Sequence, residues 1–196
     1  MREDIRKWQA PMTLNDLIDK QQITEVILRY CRAIDRGDRE LLKTVYHEDA
    51  VDRHGVFNGP ASEFMAMNIA PVLPDLVSLT HNIGNILIEL NRPFAVAESY
   101  VTGYHRLRDA AGERDLVVGG RYVDRFEHRD GEWRIAVRQA VYDWCRTDPA
   151  NTTWADPPLG GHPLVHGRMD ASDVSHQFLR ELRAQPEDQP PKPDQR

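Results

Sequence analysis

The sequence predicts an α+β domain in which a conical, curved antiparallel sheet wraps around three N-terminal helices. Two observations carry that expectation: helical periodicities are confined to the early part of the chain, and four long β-patterned segments follow one another in the later part. A third is the turn chemistry between those segments, which has the spacing of hairpin connections.

From Thr13, apolar residues recur at Leu14, Leu17, Ile18, Ile23, Val26, Ile27, Tyr30 and Ile34, one face of a helix with a phase drift near Gln21 and Gln22. Thr13 or Asn15 can cap its start. Gly37 suits a left-handed C-terminal cap, and Asp38 can open a second helix through Leu41, Leu42, Val45 and Tyr46. A short β-like piece over 50–57 ends at Asn58-Gly59-Pro60, and a third helix carries Phe64, Met65 and Met67 before Pro71 and Pro74. Strands are expected over 76–90, 95–107, 115–128 and 133–144, rich in β-branched and aromatic residues. Asn91-Arg92-Pro93, Asp109 to Gly112, and Arg129-Asp130-Gly131-Glu132 connect them. Gly84, Gly103, Gly119 and Gly120 fall inside strand patterns, where glycine marks bulges or bends that curl a sheet. A curled sheet closed by helices makes a pocket.

These elements divide the chain into an N-terminal extension (1–12), an α+β barrel domain (13–147), a C-terminal strap (148–184) and a disordered tail (185–196). The strap is rich in Pro and Gly and holds one helical pattern from Ser172 through Val174, Phe178, Leu179 and Leu182. With Trp154, Leu159 and Val165 it can fold over the pocket entrance, cover a neighbouring subunit, or run as a loose surface extension.

The 196 residues carry a net charge of −6 without a visible basic face, which disfavours a nucleic-acid or anionic-membrane partner. No apolar run approaches a membrane span, the N-terminus lacks a signal-peptide pattern, and the two cysteines, Cys31 and Cys145, form no disulfide framework; a cytoplasmic protein is expected. The eight histidines show no His-x-His or His-Glu-x-x-His spacing, and Gly119-Gly120 does not open a helix. No metal, nucleotide or other cofactor is therefore expected.

The chemistry concentrates on Asp35, at the end of the first helical pattern, and His81, in the first long strand pattern. A carboxylate that orients an imidazole makes a general base near neutral pH. The alternatives are structural: Asp35 can pair with Arg32 or Arg39 at helical spacing, and His81, between Leu79 and Ile83, can be a core histidine. Alternation puts His105 with Gly103 and Val101 on a face with free space, or else at a hairpin rim. His54 shares parity with Asp52, as a second acid–imidazole pair at the pocket mouth or as part of a solvated loop. Tyr46, Arg121, Arg138, Tyr142 and Trp144 are candidates for the pocket's polar groups and aromatic walls, with Arg138 a candidate substrate-orienting group. Parity does not decide which face of the last strand looks inward.

The helix order, the segment Arg29 to Asp35, the strand Thr80-His81-Asn82-Ile83-Gly84-Asn85 and the hairpin from Gly119 to Trp133 resemble the SnoaL-like branch of the nuclear transport factor 2-like superfamily, over residues 13–147. The resemblance implies a cystatin-like barrel. Within the branch the chain is similar to the group containing scytalone dehydratase, hexachlorocyclohexane dehydrochlorinase and bile-acid dehydratase, which are cofactor-independent lyases. It implies an Asp–His pair at Asp35 and His81, a site tyrosine at Tyr30, five residues before the aspartate, and an acid role for His105 toward a leaving group. On an ideal helix Tyr30 and Asp35 stand about 140° apart, an awkward angle for one pocket. The dehydrochlorinase type carries lysine where Tyr30 stands, which disfavours halide elimination. Dehydration of a hydrophobic cyclic or aromatic small molecule is the expected activity. A retro-aldol loss of an aldehyde such as formaldehyde, an isomerase or polyketide-cyclase reaction, a non-catalytic ligand-binding module and an oxygenase small subunit remain open. The resemblance also implies a homodimer or homotrimer.

Overall fold

The computed structural model describes residues 11–55, 57–67, 75–150 and 164–185. The elements are α1 (Leu14–Asp35), α2 (Arg39–Lys43), β1 (Tyr46–Arg53), β2 (Asn58–Pro60), α3 (Ala61–Ala66), β3 (Leu76–Asn91), β4 (Phe94–Asp109), β5 (Gly112–Arg129), β6 (Glu132–Pro149) and α4 (Val174–Arg183).

Helix α1 starts on a capping box: the Thr13 hydroxyl accepts from Asp16 N–H, and the Asp16 carboxylate accepts from Thr13 N–H. Its buried stripe of Ile23, Val26, Ile27, Tyr30 and Ile34 lies against the sheet, each aliphatic member contributing about 1.5–3 kcal/mol of apolar burial. It ends as expected: Gly37 takes φ +62°, Asp38 N–H donates back to the Ala33 carbonyl, and the Asp38 carboxylate caps α2 through Leu41 N–H.

Helix α2 is shorter than the periodicity predicts, and Tyr46 belongs to β1 instead. The Thr44 hydroxyl closes on the Leu41 carbonyl, and the Val45 carbonyl accepts from Ile135 N–H of β6. Pairing with β6 overrides the helical spacing of Val45 and Tyr46. The same pairing corrects the expected sheet. Six strands lie in the order β2-β1-β6-β5-β4-β3, but β1 runs parallel to β6, so the curved sheet is mixed rather than wholly antiparallel.

Strands β3 to β6 are 16–18 residues long. Register shifts between Ile83 and Ile86, and between Gly119 and Gly120, fall on Gly84, Gly119 and Gly120, three of the four glycines expected to mark bulges or bends, while Gly103 keeps a regular register with both neighbouring strands. The core fills the concave face, where α1 packs on β3 and β6. Strand β6 runs to Pro149, and α4 is capped by the Asp173 carboxylate. Trp154, Leu159 and the tail from 186 onward lie outside the described residues.

Candidate active site

Between the concave face, α1, α3 and residues 165–170 lies an open cavity of about 1580 Å³. The last helical turn of α1 brings Asp35 onto β3. One Asp35 oxygen accepts from His81 N–H at 2.9 Å, and the other lies 2.6 Å from His81 Nδ1. The carboxylate is 7% exposed and therefore binds both the backbone and the ring of one residue out of water. A carboxylate opposite Nδ1 fixes the proton there and leaves Nε2 with its lone pair. His81 lines the cavity, whereas Asp35 stands behind it. Neither expected arginine, Arg32 or Arg39, takes the carboxylate: Arg32 donates to the Ser175 hydroxyl instead.

The register explains how the imidazoles approach. His81 pairs with Gly103, and Leu79 pairs with His105. A Cβ at Gly103 would stand 3.0 Å from His105 Cε1 and 3.7 Å from His81 Cδ2, so the missing side chain is the space both rings use. The ring centroids are 6.2 Å apart and edge-on. Burial, followed by the neighbouring His81, pushes the His105 pKa below its ordinary value, and Nδ1 lies 3.4 Å from the Leu116 carbonyl. That environment favours the neutral ring.

Tyr30 is 1% exposed, with its ring 6.4 Å from that of His81. The awkward helical angle is resolved without unwinding, because His81 meets Asp35 and Tyr30 separately. Burial pushes the Tyr30 phenol well above its ordinary pKa, so it keeps its proton.

His54 also lines the cavity, with Nδ1 2.8 Å from Asp52 Oδ1, and is not part of a solvated loop. Arg121 lines the cavity but is shared between Glu98 at 3.0 Å and Asp143 at 3.4 Å. Tyr142 lines it too, its hydroxyl donating to the His54 carbonyl at 3.0 Å.

Three expected pocket residues are not among those lining the cavity. Tyr46 turns into the core, and its hydroxyl donates to Asp52 at 2.5 Å. Arg138 faces inward but is fully buried behind the wall; Nε and Nη2 donate to Asp124 at 2.8 and 2.6 Å, and the guanidinium lies 3.9 Å over the Tyr30 ring and 4.1 Å over that of Tyr122. It braces the aromatic wall rather than meeting substrate. Trp144 pairs with Gly119 while Tyr142 pairs with Gly120. That bulge breaks the alternation, so Trp144 lies on the opposite face from Tyr142.

The sequence left open whether the strap covers the pocket entrance, a neighbouring subunit or neither. Residues 165–170 form part of the cavity wall. Their anchor is the α1 corner, where the Met169 carbonyl would lie only 2.6 Å from a Cβ at Gly37 and Arg36 lies 3.6 Å from Asp173. The local signal was the Asp173 cap, which could have fixed the end of the strap but not its contact with Gly37.

Among the described residues no group of three or more His, Cys, Asp or Glu side chains is placed to hold a metal ion, and no helix is long and apolar enough to cross a membrane.

Residues 15–139 match the family profile described as the SnoaL-like domain. No curated protein matches the chain. Solved structures similar to it include a provisionally named scytalone dehydratase from Novosphingobium aromaticivorans, with 19% identity and a TM-score of 0.61 over 80% of this chain and 100% of that one. Hexachlorocyclohexane dehydrochlorinase LinA-type3 from Novosphingobium barchaimii is 16% identical, with a TM-score of 0.62 over 78% and 98% of the two chains. A cystatin-like protein of unknown function from Nostoc punctiforme is 20% identical, with a TM-score of 0.53 over 68% and 96%. At these identities the likeness is one of fold.

Proposed function

The chain belongs to the SnoaL-like domain family, and from that premise we propose that it is a lyase working without a cofactor on a hydrophobic, cyclic or aromatic small molecule. The observation that carries this reading is the double hold of the Asp35 carboxylate on His81 at the cavity wall. A core histidine needs one hydrogen-bond partner; a base needs a fixed tautomer and a free nitrogen facing substrate.

In this reading His81 Nε2 takes a proton from substrate, and Asp35 stabilises the imidazolium that forms. Tyr30 donates a hydrogen bond to the developing oxyanion. His105, as a neutral ring, accepts a hydrogen bond from a substrate hydroxyl. Loss of water is the preferred outcome. The same groups acting on a hydroxyl proton would release an aldehyde by retro-aldol cleavage.

The test is incubation of the full chain with aromatic β-hydroxy ketones and hydroxymethyl-substituted aromatics, read by mass spectrometry for loss of water or of formaldehyde. Turnover that disappears in His81→Ala, with an unchanged circular dichroism spectrum, supports the reading. Undiminished turnover in that variant would sink it. Assembly is proposed as a homo-oligomer through the convex sheet face, which exposes Leu87, Phe94, Val96, Tyr100 and Trp144. Sedimentation of a Phe94→Glu variant as a monomer, against an oligomeric parent, would support that face; a monomeric parent would exclude it.

A further inference from the structure

One Asp–imidazole pair does the work in the mechanism above, and the cavity holds a second. His54 Nδ1 lies 2.8 Å from Asp52 Oδ1, while Asp52 Oδ2 accepts from the Tyr46 hydroxyl at 2.5 Å. With Nδ1 committed, Nε2 is the His54 nitrogen left to the cavity. The ring stacks on Phe64 at 5.0 Å and stands 5.6 Å from Tyr122 and 6.4 Å from Tyr30. Tyr30 is also 6.4 Å from His81, so the two imidazoles are at most twice that distance apart.

The charges beneath point the same way. Asp52 on β1, Arg138 on β6 and Asp124 on β5 form one register row across the sheet, all fully buried. The guanidinium gives two hydrogen bonds to Asp124, and its buried Nη1 makes none among the described residues. Asp52 is held by the Tyr46 hydroxyl and the His54 imidazole, and a buried carboxylate needs a compensating positive charge or a proton. His54 is the basic ring that stands against that carboxylate, with Nε2 toward the cavity.

We propose that His54, held by Asp52 and Tyr46, is the general acid of this site and protonates the oxygen that leaves. The assignment rests on the lyase reading above. His81 Nε2 takes the carbon-bound proton; that electron pair becomes the new C=C bond as the C–O bond breaks; the departing oxygen takes the Nε2 proton of His54 and leaves as water. His81 then releases its proton to bulk water and His54 recovers one from it. The substrate class stays that of the lyase reading, a cyclic or aromatic alcohol with an acidic C–H beside the carbon bearing its hydroxyl, the hydroxyl at His54 and the C–H at His81. Asp52 and Tyr46 are positioning residues.

The test uses the full chain with isotope-labelled histidine, the His54 ring signals being assigned with His54→Gln. The ionisable groups around that ring are Asp52 and Tyr46 from β1, Tyr30 from α1, Tyr122 and Asp124 from β5, and Arg138 and Tyr142 from β6; α3 contributes the non-ionisable Phe64. At neutral pH both ring nitrogens of His54 are expected to carry protons, and Asp52→Asn is expected to remove one. Calorimetric binding of 2,4-dinitrophenolate should weaken at least tenfold in His54→Gln, a readout that survives if Asp52→Asn does not fold. A neutral His54 ring in the parent, a ring indifferent to Asp52→Asn, or equal dinitrophenolate affinity in His54→Gln would overturn the assignment. None of these readouts involves turnover, so failure of the His81 reading would be seen separately.

Discussion

Replacing Asp35 by asparagine changes one atom, and the structure says what that atom does. His81 gives the carboxylate two hydrogen bonds, from its backbone N–H at 2.9 Å and from Nδ1–H at 2.6 Å. A carboxamide can accept only on its oxygen. If that oxygen stays under the backbone N–H, the new NH2 faces Nδ1 and drives the ring proton to Nε2, which removes the lone pair offered to substrate. If the amide turns over, two donors confront each other at a buried backbone, a cost of about 1–3 kcal/mol. The first arrangement wins, and the base is lost through its tautomer. A triad aspartate replaced in this way lowers turnover about 10⁴-fold, and here a loss of about 10³–10⁴ is expected. That is about 4–5 kcal/mol of barrier at ~1.36 kcal/mol per decade. KM should move little, because Asp35 stands behind His81 and does not line the cavity. Steady-state kinetics on the substrate found by the mass-spectrometric screen, with a urea unfolding curve for each protein, make the measurement. Raising the pH should not restore the rate, since the defect is the position of a proton. A variant within tenfold of the parent, or one rescued by alkali, would refute the reasoning.

Three further outcomes are expected. Asp124→Asn leaves the Arg138 guanidinium buried without its charge partner and should cost about 3–5 kcal/mol in urea unfolding, with much of the loss recovered in the double variant Asp124→Leu/Arg138→Met. Burial pushes the Cys31 thiol up to about 12, while Cys145 is exposed, so a thiol reagent should titrate one cysteine in the native protein and both in urea. His105 titrates below its ordinary value of 6.5 because burial, then His81, opposes its charge. Protonation therefore favours the unfolded chain: the contribution of a neutral His105 is intact above pH 6.5 and is lost as the pH falls through that value. Urea midpoints at neutral and mildly acid pH should fall less with acid in His105→Gln than in the parent, and equal slopes would show that His105 does not titrate there.

Local chemistry was legible wherever local rules govern it. The Thr13 capping box, the Gly37 cap, the Asp38 start of α2 and the glycine positions of the bulges are set by residues a few places apart, and they appear as the sequence reads. The pairing of Asp35 with His81 spans 46 residues, and helix periodicity and strand parity locate each partner but not their contact. Where a long-range pairing competes with a local pattern, the local pattern loses. Val45 and Tyr46 have helical spacing, yet β6 takes them into the sheet. Trp144 shares even parity with Arg138 and Tyr142, but one bulge puts it on the other face.

The same competition accounts for the burial of Arg138. By sequence, an arginine within an apolar strand reads as a group for substrate, because its carboxylate lies on another strand. The antiparallel β5–β6 register supplies Asp124, and the parallel β1–β6 register sets Asp52 beside it, a partner 86 residues away that no local rule announces. One guanidinium against two carboxylates is an unbalanced row, and burial pushes the Asp124 pKa above its ordinary value. Arg138→Met is the variant that exposes this logic: with the only cation of the row removed and Asp124 left without its donor, the buried acids must take up protons, so the stability of that variant should rise relative to the parent as the pH is lowered. A urea midpoint that tracks the parent at every pH would mean the row is not charged as the structure implies.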